Sequence, residues 1–194
     1  MEWLDRIVDW QGDISDPKEF MANLKVDLDQ DEVMVFTPKG EVLSLPVGAT
    51  PVDFAYAIHT EVGHSCIGAK VDARLVSLDT PLHSGETVEV FTAKTATAGP
   101  SRDWLDTVVT PKAQSRIKQW FAAQEREDEL ENGREEVTNA LRVAGLPVQE
   151  LLASGVLTQV AEDLNFAELD ALYRAVGGDK MPARLVASRA RRWL

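Results

Sequence analysis

The 194-residue chain contains a single cysteine, Cys66, and only three histidines, His59, His64 and His83. One cysteine excludes an internal disulfide and fits a reducing, cytoplasmic setting. No apolar run approaches the roughly 18 residues of a membrane-spanning helix. The opening segment, MEWLDRIVDWQGD, is amphipathic and acidic, unlike a secretory signal. Basic residues are also scarce: 20 Lys and Arg stand against 32 Asp and Glu, for a net charge of −12. That balance argues against a general nucleic-acid binder, whose domain is usually basic. Phosphate-loop, dinucleotide-fingerprint and H-E-x-x-H motifs are all missing. What remains is an ordinary globular composition, 44% apolar and 27% charged, long enough for one large or two small domains.

The charge is unevenly spread. EREDELENGREE, residues 125–136, is a dense acidic run with two arginines, whereas ARLVASRARRWL at the end has four arginines and no acid. Both read as solvated helix faces or as partner contacts.

Hydrophobic periodicity predicts helices over residues 1–24, with Pro17 in the first turn of the second. From Val33 the pattern becomes strand-like. VMVFTP and VLSLPVG flank PKGE, a hairpin signal with glycine in the turn. A helix follows, with Thr50 as N-cap, Pro51 at its first position and Asp53 at its third. Phe54, Ile58 and Val62 form its expected buried stripe, and Gly63 its left-handed C-cap. CIGAKVDA should place Ile67, Ala69 and Val71 on one face. RLVSL and TVEVFTA complete the strands, with Val88 and Val90 inward. Hairpin, crossover helix and further strands within about 60 residues describe a β-grasp, or ubiquitin-like, arrangement. One helix covers only one face of such a sheet.

KTATAGPSR reads as a linker. Beyond it, Ser101 is the expected cap of a helix in RDWLDTVV, and Pro111 starts a longer helix with a break expected at Gly133. PVQELLAS, GVLTQVAEDL, FAELDALYRAVGG and MPARLVASRARRWL predict four short helices. The expected fold class is α+β: residues 1–32 as a helical lead-in, 33–94 as the β-grasp domain and 95–194 as an α-helical domain.

The chemistry concentrates in TPVDFAYAIHTEVGHS, residues 50–65. His59, His64 and Cys66 have ligand chemistry, but their spacing crosses a helix end and lacks the tight intervals of zinc sites. Cys66 as nucleophile would need a base and an oxyanion hole, and only His64 is near in sequence. His59 lies off the apolar stripe on the same side as Tyr56, so both are expected to be accessible. Such a pair can donate hydrogen bonds to ribose or phosphate while a base stacks. Alternatively, His59 only caps the helix end, His64 only fills a turn, and Asp53 is a helix cap.

VFTPKG, LPVGATPVDFAYAIHTEVGH and GAKV resemble the TGS domain of the long RelA/SpoT-type (p)ppGpp synthetases, and GPSRDWLDTVVTPKAQSRIKQWF resembles the start of the helical domain that follows it there. WLDRIVDWQ and DPKEFMANLKVDL are similar to the end of the preceding synthetase region. What the resemblance implies is a regulatory, non-catalytic fragment of a GTP pyrophosphokinase and (p)ppGpp hydrolase, without cofactor or metal. It would sense the CCA end of uncharged tRNA on the ribosome and control the catalytic domains. His59 would sit at the terminal ribose, with Tyr56, Thr60 and His64 around it. Lys112, Arg116 and Lys118 on the next helix read either as contacts to the tRNA backbone or as a solvated helix face. An alternative reading is an interaction or autoinhibitory module that binds the catalytic domains, another copy or a carrier protein. The chain departs from the family at Ser65, often basic, and at Asp72-Ala73, often Asn-Gly. Residues 33–93 hold 3 Lys/Arg against 7 Asp/Glu, so counterion release would contribute little to RNA affinity.

Overall fold

The computed structural model describes residues 31–94 and 98–193. The helices expected over residues 1–24 lie outside that range. A first compact unit ends at Trp120 and a second begins at Phe121.

In the first unit, β1 (Glu32–Phe36) and β2 (Val42–Pro46) form an antiparallel hairpin, Val33 opposite Leu45. Gly40 takes φ +84° in the turn, as the PKGE signal predicts. Strand β3 (Cys66–Val71) pairs antiparallel with both β4 (Arg74–Val76) and β5 (Val88–Thr92). A parallel bridge from Phe36 to Thr87 sets β1 beside β5, and the order β2-β1-β5-β3-β4 is that of a β-grasp. Val33, Val35, Leu45, Phe54, Val71, Leu82 and Val88 make the core, with Val90 partly buried against it.

Three expectations need correction here. The helix expected from Pro51 to Val62 is two helices, α1 (Pro51–Ile58) and α2 (Thr60–His64), separated by an extended His59. Ile58 is consequently 44% exposed rather than in a buried stripe. Gly63 does not take a left-handed conformation. It is glycine because the Tyr56 ring lies on it: a Cβ there would overlap the ring, with Cε1 at 2.6 Å. Ile67 is exposed because the pairing of β3 with β5 shifts register between Cys66 and Gly68, which puts Cys66 into the buried place instead.

After a 3-10 turn (Arg102–Asp106), in which Ser101 holds the cap position without a side-chain capping bond, α3 runs unbroken from Pro111 to Val143. Gly133 therefore does not break it. In the second unit, α4 (Val148–Ala153), α5 (Val156–Asp163), α6 (Leu169–Gly177) and α7 (Ala183–Ala190) appear where Gly and Pro punctuate the sequence. They bury Leu151, Leu157, Val160, Leu172, Val176 and Val186 against Val137 and Leu141 of α3. Gly133 and Gly177 let α3 and α6 meet backbone to backbone. A Cβ at Gly133 would overlap the Tyr173 carbonyl oxygen, and one at Gly177 that of Glu129.

Candidate functional site: the α1–α2 junction

Helix α1 begins with a complete capping box. The Thr50 hydroxyl accepts from the Asp53 N–H, and the Asp53 carboxylate accepts from the Thr50 N–H at 2.9 Å. The helix ends at Ile58, and His59 serves both as its C-cap and as the N-cap of α2. His59 Nδ1 accepts the Glu61 N–H at 3.3 Å. That bond assigns the ring proton of the neutral imidazole to Nε2. The side chain is exposed, so the junction presents an oriented N–H donor beside Thr60 and the exposed Ile58.

Tyr56 and His64 occupy a different setting. Tyr56 is fully buried, not accessible as the helical spacing suggests, because α2 folds back and sets Gly63 on its ring. Tyr56 Oη and His64 Nδ1 lie 2.9 Å apart and share a hydrogen bond. The two rings meet edge-on at 5.4 Å between centroids, and His64 tilts against Trp120 at 6.5 Å. Burial pushes the Tyr56 phenol well above its ordinary value, with Cys66 adding to the rise. Burial also lowers the His64 imidazole below 6.5, against the opposing pull of Glu61, and raises the Cys66 thiol. A buried, neutral thiol is a poor nucleophile. Among the described residues no group of three or more His, Cys, Asp or Glu side chains could hold a metal ion.

The basic positions of α3 do not form one stripe. Lys112 and Arg116 are one turn apart and half-buried, whereas the exposed Lys118 lies two residues further round the helix. The Arg116 guanidinium donates to Gln119 at 3.2 Å. Sequence reasoning missed the second set of bonds at Asp53, whose carboxylate also accepts from Val109 and Thr110. A signal for it exists: TPVD and TPKA both open helices with Thr-Pro, but only the first carries its own acid at the third position.

Comparison with known proteins assigns the class. Residues 33–92 match the family model of the TGS domain, and residues 120–191 match that of the RelA/SpoT AH domain. The chain belongs to the RelA/SpoT family and carries its TGS and AH domains. It is 50% identical over 189 residues to the bifunctional (p)ppGpp synthase/hydrolase RelA of Mycobacterium tuberculosis, covering 97% of this chain and 26% of that protein. It is 49% identical over 177 residues to a GTP pyrophosphokinase of Streptomyces coelicolor, covering 91% of this chain and 21% of the relative. A probable guanosine-3′,5′-bis(diphosphate) 3′-pyrophosphohydrolase of Synechocystis is 44% identical over 189 residues, covering 97% and 24%. The chain thus spans about a quarter of the length of these curated relatives. No helix among the described residues is long and apolar enough to cross a membrane.

Proposed function

We propose that this chain is the regulatory TGS–AH region of a stringent-response (p)ppGpp synthetase/hydrolase, and that it senses the CCA end of uncharged tRNA on the ribosome and controls the catalytic domains. The observation that carries the reading is the exposed His59 at the α1–α2 junction, its Nδ1 held by the Glu61 amide so that Nε2 faces outward as a donor. An oriented imidazole N–H suits a ribose hydroxyl or a phosphate oxygen. A free terminal hydroxyl fits against it, and an aminoacyl ester at the same place collides with the junction, so selection works by rejection. Thr60 supplies a neighbouring hydroxyl. Tyr56 and His64 support the junction from beneath rather than stack on a base. The acidic β-grasp domain gives little electrostatic attraction, so the ribosome and neighbouring domains supply most of the affinity. The test is binding of uncharged and aminoacylated tRNA at low salt to the parent chain and to His59→Ala. A preference for uncharged tRNA that the substitution abolishes supports the reading.

A second reading is an autoinhibitory or interaction module that docks on the catalytic domains, another copy or a carrier protein. The exposed acidic run 125–136 on α3 favours it. Charge reversal there alters association in that case, and His59→Ala leaves it unchanged.

A further inference from the structure

Asp53 is fully buried, and no ion-pair partner stands beside it among the described residues. Its carboxylate is instead satisfied by donors from two segments far apart in sequence. On one side, Oδ2 accepts from the Thr50 N–H at 2.9 Å and the Thr50 hydroxyl at 3.0 Å. On the other, Oδ1 accepts from the Thr110 N–H at 2.8 Å and the Thr110 hydroxyl at 2.6 Å. The Val109 N–H points between both oxygens, 3.2 Å from each. A local helix cap needs only the Thr50 side. The Thr110 hydroxyl in turn accepts the Ala113 N–H at 3.3 Å in the first turn of α3. One carboxylate therefore closes the N-termini of two helices, α1, which His59 caps at its far end, and α3. Charged acceptors make the stronger hydrogen bonds, and these are shielded from water.

We infer that Asp53 is a positioning residue that couples the His59 junction to the start of α3, so that a change at His59 reaches Val109, Thr110 and Ala113 through its carboxylate. The inference deepens the tRNA-sensing reading and rests on it only for the nature of the signal. Helix α1 is eight residues long and buried along Pro51–Tyr56. Close-packed interiors pass on displacement rather than absorb it. A shift of α1 driven from its His59 end is then felt at its capping box, and three of the carboxylate's donors belong to residues 109 and 110.

The test uses the 194-residue chain, labelled with nitrogen-15, and reads amide resonances without any RNA. His59→Ala should shift the Val109, Thr110 and Ala113 amides in the parent chain. In an Asp53→Asn background the same substitution should shift them at least threefold less. A Trp120 indole signal in its parent position certifies that this background is folded. If Asp53→Asn does not fold, Thr110→Val removes one donor while keeping the carboxylate, and it should weaken the response in the same way. An undiminished response in the folded Asp53 or Thr110 background overturns the inference, as does no response in the parent chain. A second arm adds an oligonucleotide ending in CCA with a free 3′-hydroxyl. Its failure to bind the parent chain would count against the tRNA reading, while the RNA-free arm still decides the coupling.

Discussion

Replacing Gly133 by alanine is the sharpest test of how the helical unit is built. On an open helix face the change would gain about 1 kcal/mol, because alanine loses less backbone entropy than glycine. Here the new Cβ would overlap the Tyr173 carbonyl oxygen and lie 2.5 Å from its carbon and 3.0 Å from Gly177 N. All three atoms are backbone, so no side-chain rotation relieves the overlap. Helices α3 and α6 must separate by on the order of an ångström, which loosens Val137, Leu141, Leu172 and Val176 together. Overpacking of this kind costs about 1–3 kcal/mol, more where backbone must move. With the propensity gain subtracted, a net loss of about 2 kcal/mol is expected, or about 4–8 °C in Tm for a chain of this size. The assay is urea and thermal unfolding followed by helical circular dichroism. Gly177→Ala strikes the same contact from the other side, where its Cβ would lie 2.9 Å from the Glu129 carbonyl carbon. The double substitution should cost less than the sum of the two, since the helices need separate only once. An unchanged or raised Tm for Gly133→Ala would refute the backbone contact.

Two other outcomes follow from local geometry. Asp72 and Ala73 turn the chain from β3 to β4 with φ of +48° and +64°, the paired positive angles of a type I′ turn. Ala73→Gly relieves a left-handed alanine and should stabilise the first unit by about 0.5–1 kcal/mol in urea unfolding, whereas a loss of stability would contradict the turn assignment. His64 is held neutral by burial, with its folded value lowered from 6.5. Above that value both folded and unfolded states are neutral at this site and it adds no pH dependence. As pH falls below 6.5 the unfolded chain takes up the proton first, so stability is lost until the lowered folded value is passed. The parent chain should therefore lose more stability than His64→Gln on acidification below 6.5, measured by urea midpoints, and equal losses would contradict the buried setting of the imidazole.

What the sequence could tell followed from how local the cause was. Thr50, Pro51 and Asp53 announce the start of α1 because a capping box closes within four residues. The last four helices were legible because Gly145, Pro147, Gly155, Gly178 and Pro182 mark their ends. The division at His59 was hidden, since Ile58-His59-Thr60 contains no breaker. Its cause is tertiary: Gly63 seats α2 on the Tyr56 ring, and His59 supplies the cap that makes the turn satisfiable. Ile67 was misplaced because a strand irregularity inverts the alternation, and periodicity alone does not reveal one. Gly133 looks like a break because helical propensity sees only the cost of glycine, and the helix that needs its missing side chain arrives 40 residues later. At the candidate site, His59 and Asp53 stand out in the sequence, but the burial of Tyr56 depends on α2 folding back over its ring, and the second set of Asp53 partners depends on pairings 56 and 57 residues apart.

The most direct test of the central claim is a titration of His59 itself. The chain, labelled at histidine, is followed by NMR while RNA oligonucleotides ending in CCA are added, one with a free 3′-hydroxyl and one esterified there with an amino acid. The account predicts that the free end perturbs the His59 ring resonances saturably and that the esterified end does so only at much higher concentration. Equal perturbation by both, or perturbation of His83 with His59 unmoved, would contradict it.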